Sequence, residues 1–152
     1  MKKIIVLLSA CLMISLMSYS QKVTPDKVPA PVKQAFAKMF PAASDVKYEM
    51  EKSDYEISFR DKGVEMSANF DATGKWLETE TEIKESNLPK EVSASIARNF
   101  TGFKITEVAR TEAPGKEPVY ELDVKKGKEG FEVRVSPKGE ILKKIPLNKE
   151  KD

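Results

Sequence analysis

The sequence predicts an α+β protein: a helix followed by a four-stranded antiparallel meander, the unit occurring as a tandem repeat, with the helices on one face of the sheets. Three observations predict it. Apolar residues recur at helical spacing after Pro29 and again after Pro89. Period-two alternation of apolar and polar residues then fills the stretch behind each helix. The two stretches also align with one another. Pro29/Pro89, Val32/Val92, Phe36/Ile96 and Phe40/Phe100 share an offset of 60, and Tyr55/Tyr120, Ile57/Leu122, Phe59/Val124 and Gly74/Gly139 an offset of 65. Five inserted residues account for the change, and Glu112 to Pro118 is the place for them, as a longer hairpin loop.

The chain opens with a secretory leader. Lys2 and Lys3 form a positive start, and Ile4 to Met17 is uncharged and almost wholly apolar. The run is shorter than the roughly 20 apolar residues of a membrane span. Ser18 and Ser20 place small side chains three and one positions before a cut between Ser20 and Gln21. The rival reading is a lipobox, Leu8-Ser9-Ala10-Cys11, which would acylate Cys11. It leaves an apolar segment of only Ile4 to Leu8, although the run continues past Cys11. The expected organisation is a leader at 1–20, a short polar lead at 21–27, one domain at 28–148 made of repeats 28–83 and 88–146, and a charged tail at 149–152. The exported protein is then periplasmic or secreted, with no transmembrane segment.

In the first repeat, Val32, Ala35, Phe36, Met39 and Phe40 make one apolar stripe, while Lys33, Gln34 and Lys38 lie off it. Pro29 and Pro31 stand at the helix entry, where a missing N–H costs little. Pro41 ends it. Strands follow at Val46 to Met50, at Tyr55, Ile57 and Phe59, and at Val64, Met66, Ala68 and Phe70. Asp71-Ala72-Thr73-Gly74 is a hairpin loop in which Gly74 supplies the positive φ. The last strand runs from Trp76 to Ile83; Trp76 is the one candidate aromatic anchor for a partner, but the hairpin would pair it with Phe70, which argues for the core. In the second repeat Val92, Ile96 and Phe100 form the stripe. Tyr120, Leu122 and Val124, then Phe131, Val133 and Val135, then Ile141 to Ile145 make strands, with Ser136 to Gly139 as the loop. One unit is too small to be comfortable alone, so the two sheets join or pack together.

Composition excludes much chemistry. The chain has no histidine, and its one cysteine lies in the leader. Ser-His-Asp and Cys-His catalysis are absent, as are the usual zinc and copper ligand sets. No phosphate-binding glycine loop occurs. Of 26 basic and 24 acidic residues, the leader removes Lys2 and Lys3, so the remainder balances at 24 and 24. A neutral mixed surface gives no footprint for nucleic acid. No catalytic, cofactor-binding or metal residues are therefore expected. A carboxylate-only hydrolase would need two acids facing each other across a cleft, and no spacing picks out such a pair.

The proline-led helix openings at Val28 and Leu88, and the glycine turns leading into strands at Gly74-Lys75-Trp76 and Gly139-Glu140-Ile141, resemble the PepSY-like family of exported bacterial proteins. The fold of that family is akin to the β-lactamase-inhibitor protein. The resemblance spans the chain after the leader and is one of architecture, because the shared positions are core and turns. It implies helices on one sheet face and an open second face; in the inhibitor relative that concave face grips an enzyme. It brings no catalytic residues.

The function expected is thus a non-enzymatic binding module whose open sheet face meets a protein or peptide. An envelope-maintenance protein without a specific partner is the alternative. The outward positions are Glu56, Ser58, Arg60, Glu65, Ser67 and Asn69 in the first repeat, with Glu121, Asp123, Lys125, Glu132 and Arg134 in the second. Arg60 and Arg134 are the positions where charge reversal should spare the fold. Glu78, Glu80 and Glu82 share one side of a strand. They read either as a cation or basic-partner site or as charges that discourage edge-to-edge pairing. The stripe has no counterpart in the second repeat, where Lys143 and Lys144 stand in the matching strand.

Overall fold

The computed structural model describes residues 21–147. The leader, the Ser20–Gln21 cut, Cys11 and the tail at 149–152 lie outside them. The elements in chain order are β1 (Gln21–Val23), α1 (Ala30–Met39), β2 (Ala43–Glu51), β3 (Asp54–Asp61), β4 (Val64–Phe70), β5 (Trp76–Glu82), α2 (Lys90–Asn99), β6 (Lys104–Glu112), β7 (Val119–Lys126), β8 (Glu129–Val135) and β9 (Ile141–Pro146). The protein is α+β and mostly sheet. All nine strands form one antiparallel sheet in sequence order. The sheets expected either to join or to pack do join, through β5 and β6.

Two apolar clusters hold the helices. Val28, Val32 and Phe36 pack with Ile57, Phe59, Ala68 and Phe70. Leu88, Val92, Ile96 and Phe100 pack with Val108, Tyr120, Leu122, Val124, Val133 and Val135. Cross-strand pairing puts the strand residues of both clusters on one face of the sheet. Ile57, Ala68 and Thr79 are successive partners, and Thr81, two residues on, leads through Arg110 and Tyr120 to Val135. Trp76 pairs with Phe70, packs against the first cluster and donates its indole N–H to the buried Thr79 hydroxyl at 2.9 Å.

Matching positions in the two halves share local geometry. Both hairpins before β5 and β9 carry a register shift, between Asn69 and Phe70 and between Arg134 and Val135. Gly74 (φ 84°) and Gly139 (φ 81°) both need the left-handed region. Each also lies against the first turn of a helix. A Cβ on Gly74 would sit 2.6 Å from the Pro31 carbonyl oxygen, and one on Gly139 2.5 Å from that of Glu91. The last matched pairs at the two offsets, Glu51 with Thr111 and Asp54 with Val119, flank Lys52-Ser53 in one half and Glu112 to Pro118 in the other.

Two sequence expectations change. Met39, placed in the apolar stripe, is 41% exposed. The backbone leaves the helix at Phe40 (φ −128°, ψ 66°), which sends the Phe40 ring rather than Met39 against Phe36 and Phe59. The polar lead contains a strand: Gln21, Lys22 and Val23 pair with Met50, Glu49 and Tyr48. Three residues are too few to show alternation, and Val23 alone reaches the core.

Candidate functional site

The face away from the apolar clusters carries every outward position read from the sequence. Its rows follow from register. Glu56, Asn69 and Glu78 lie side by side, as do Lys47, Ser58, Ser67, Glu80 and Thr111. Arg60 faces Glu65. In the second half the rows are Glu82, Ala109, Glu121, Arg134 and Lys143, and Glu107, Asp123, Glu132 and Ile145. Lys125 stands between Lys104 and Gly130. Ion pairs organise these rows. Arg60 binds Glu65. Arg134 meets Glu121 at 3.0 Å and Glu132 at 3.6 Å. Glu121 also accepts the Thr111 hydroxyl at 2.7 Å, and Asn69 donates to Glu78 at 3.1 Å. Asp123 lies 4.0 Å from Lys125, and burial raises its pKa.

A concavity of about 520 Å³ occupies the middle of this face, over β2 to β6. Ser58 and Ser67 on adjacent strands, and Ala109 beside Glu82, are small residues lining it. Longer side chains stand around them: Glu56, Glu80, Glu82 and Glu107, with Lys47 and the Arg60–Glu65 pair at one end. Of the positions expected to bind, Glu56, Ser58, Arg60, Glu65 and Ser67 line this concavity. Asn69 lies in a smaller neighbouring hollow with Glu56 and Glu78. Glu121, Asp123, Lys125, Glu132 and Arg134 belong to the same face but not to the lining.

Glu80 is the electrostatic centre. Burial, reinforced by the charges of Glu121, Glu56, Glu107 and Glu78, pushes its carboxyl up to about 7. The reading of Glu78, Glu80 and Glu82 as edge protection fails, because β5 is the fifth of nine strands and is bonded on both sides. The lack of a counterpart in β9 has the same cause: β5 joins the halves, while β9 has β8 as its single neighbour in the sheet. Among the described residues, no group of three or more acids has a geometry that could hold a metal ion. Arg60 and Arg134, the positions chosen for charge reversal, are both ion-paired, Arg60 with Glu65 and Arg134 with two acids. Arg134 stands between Glu121 and Glu132, so a glutamate there would bring three carboxylates together.

The protein is thus an antiparallel sheet that bears two helices and has a grooved, acid-lined second face. The chain belongs to the PepSY-like family, described as "Putative beta-lactamase-inhibitor-like, PepSY-like", which matches it at residues 15–69 and 61–143. Solved structures share the fold. A "putative periplasmic" protein of Bacteroides eggerthii aligns with a TM-score of 0.75 at 23% identity, over 78% of this chain and 88% of its own. A DUF2874 family protein of Bacteroides uniformis gives 0.73 at 23% identity over the same shares. A BLIP-like protein of Bacteroides fragilis gives 0.68 at 25% identity, over 82% of this chain and 89% of its own. No curated protein matches the chain. Among the described residues no helix is long and apolar enough to cross a membrane.

Glu107 and Lys47 were missed in the sequence. A register shift between Ile105 and Glu107 sets Ile105 and Val108 opposite Val124 and Leu122, on one face but three residues apart. That spacing hides the strand from a period-two search. A matching register shift falls between Ser44 and Lys47 in β2.

Proposed function

We propose that this chain is an exported, non-enzymatic binding module that holds a protein or peptide on the outward face of its sheet. The concavity over β2 to β6 carries the reading, because it gives that face depth where an ordinary solvated sheet face would be flat. The family description and the BLIP-like neighbour favour inhibitor-like binding, in which the occupied face masks an enzyme. Both helices covering the opposite face leave this one open; the shared strand face of the two apolar clusters supports that arrangement. The domain, 28–148, is two copies of one unit, 28–83 and 88–146. The matched glycines at Gly74 and Gly139 and the paired register shifts support the duplication. A partner recovered with the protein from the periplasm should be lost on Ser67→Trp, which fills the concavity from an outward strand position. A Ser67→Trp protein that folds and still retains the partner would place recognition elsewhere, with the Glu112 to Pro118 loop next to be tested.

Export proceeds by cleavage after Ser20. A cut there keeps Gln21, which pairs with Met50. N-terminal sequencing of protein from the native envelope is expected to read Gln21 or its cyclised form. A diacylated Cys11 would instead make this an anchored lipoprotein.

A further inference from the structure

We infer that the segment bound on the sheet face is cationic: a lysine- or arginine-bearing stretch of protein lies across the concavity, one basic side chain resting over Ser58, Ser67 and Ala109 with its head group against Glu80 and Glu107. The inference rests on the outward face being the binding surface and names the chemistry that surface accepts.

Three observations carry it. The first is shape. Ser58, Ser67 and Ala109 are short residues lining the hollow, and longer acids stand beside them, so a methylene stem fits between carboxylates that meet its charge. The second is charge balance. Six carboxylates line the concavity against two cations, Lys47 and Arg60, and Glu65 already engages Arg60. In the other half Arg134 is likewise engaged, by Glu121 and Glu132. The face therefore offers surplus negative charge at its middle, although the chain as a whole is nearly neutral. The third is position. These acids sit on the central strands of the sheet, where protection of an edge gives no reason for charge.

The same geometry makes binding depend on pH. The groups acting on Glu80 are Glu56 from β3, Glu78 from its own strand, Glu107 from β6 and Glu121 from β7, and the rim adds Asp45, Glu65, Glu82, Lys47 and Arg60. A cation placed among them favours the ionised carboxylate, so binding expels the proton that Glu80 holds near neutrality. Affinity should then rise with pH across that range.

The probe is a phage-displayed library of random dodecapeptides, selected on the wild-type protein and counter-selected on a folded Ser67→Trp variant. The enriched peptides are expected to be rich in lysine and arginine. A synthetic copy of one should bind about tenfold or more weakly to Glu80→Gln/Glu107→Gln than to wild type. It should also weaken as salt rises past about 0.1 M, and bind more tightly at pH 8 than at pH 6. Glutamine is close in shape to glutamate and relieves repulsion here, so the double variant should fold. Neutral or acidic peptides that bind wild type but not Ser67→Trp would overturn the cationic assignment while leaving the binding face in place. Peptides that do not distinguish wild type from Ser67→Trp would overturn both.

Discussion

Phe36→Ala is expected to remove about 3–5 kcal/mol of folding stability, and Ile96→Ala about 2–5 kcal/mol. Both side chains are nearly buried, at 5% and 4% exposure, and each anchors the middle of its helix. Phe36 packs edge-on against Phe59, with ring centroids 4.9 Å apart, and lies 5.6 Å from Phe40. Its removal leaves a void between helix and sheet that β3 cannot fill, because Ile57 and Phe59 are fixed by the pairing of β3 with β2 and β4. A domain of this size is stable by only about 5–15 kcal/mol. The loss is thus a large fraction of the whole, and the melting temperature should fall by about 10 °C or more. Equilibrium urea unfolding with thermal melts reads it. Because all nine strands form one sheet, both variants should unfold in a single transition, although their sites are in different halves. If either variant melted like wild type, the matching of the two helices at an offset of 60 would fail.

Where a side chain's role is set by its own neighbours in sequence, the sequence was enough to read it. Ile57, Phe59, Ala68, Phe70, Leu122, Val133 and Val135 alternate with polar residues and are all buried. The Asp71 to Gly74 loop closes as its composition implies, with the Gly74 N–H donating to the Asp71 carbonyl at 2.9 Å. Pairing between distant strands was not legible. Alternation marks the faces of β5 but does not show whether a strand will lie beside it, so its three acids looked like an edge when they are at the centre. The concavity depended on a further fact of that kind. Ala109 and Glu107 reach it only because β6 pairs with β5, and the bulge in β6 had masked its alternation. The eleven outward positions were therefore assigned to the right face. Which of them surround a common hollow became visible only when the two halves were joined.

Between pH 5 and 8 the protein should lose stability as pH rises, and Glu80→Gln should remove most of that loss. The Glu80 carboxyl titrates at about 7 in the folded protein against an ordinary value of 4.5. Below 4.5 it is protonated whether folded or unfolded, and folding is not penalised. Between the two values the unfolded chain ionises while the folded chain keeps the proton. Stability therefore falls with rising pH through this window and levels off above about 7. At 1.36 kcal/mol per pH unit the full gap is about 3 kcal/mol, which solvent at the partly exposed carboxylate reduces to about 2 kcal/mol. Asp123, raised mainly by burial, acts in the same direction. The glutamine amide is neutral throughout. Glu80→Gln should accordingly match wild type near pH 5 and exceed it by about 2 kcal/mol near pH 8. Urea titrations at the two pH values measure both quantities, and a variant that kept the wild-type slope would show that Glu80 is not its source. The outcome also bears on function. A purely structural residue at the centre of the sheet would be expected to stabilise it, whereas Glu80 is expected to do the reverse at neutral pH. A substitution that strengthens the fold while weakening capture of a cationic peptide would separate the two roles in one side chain, and assign this carboxylate to binding.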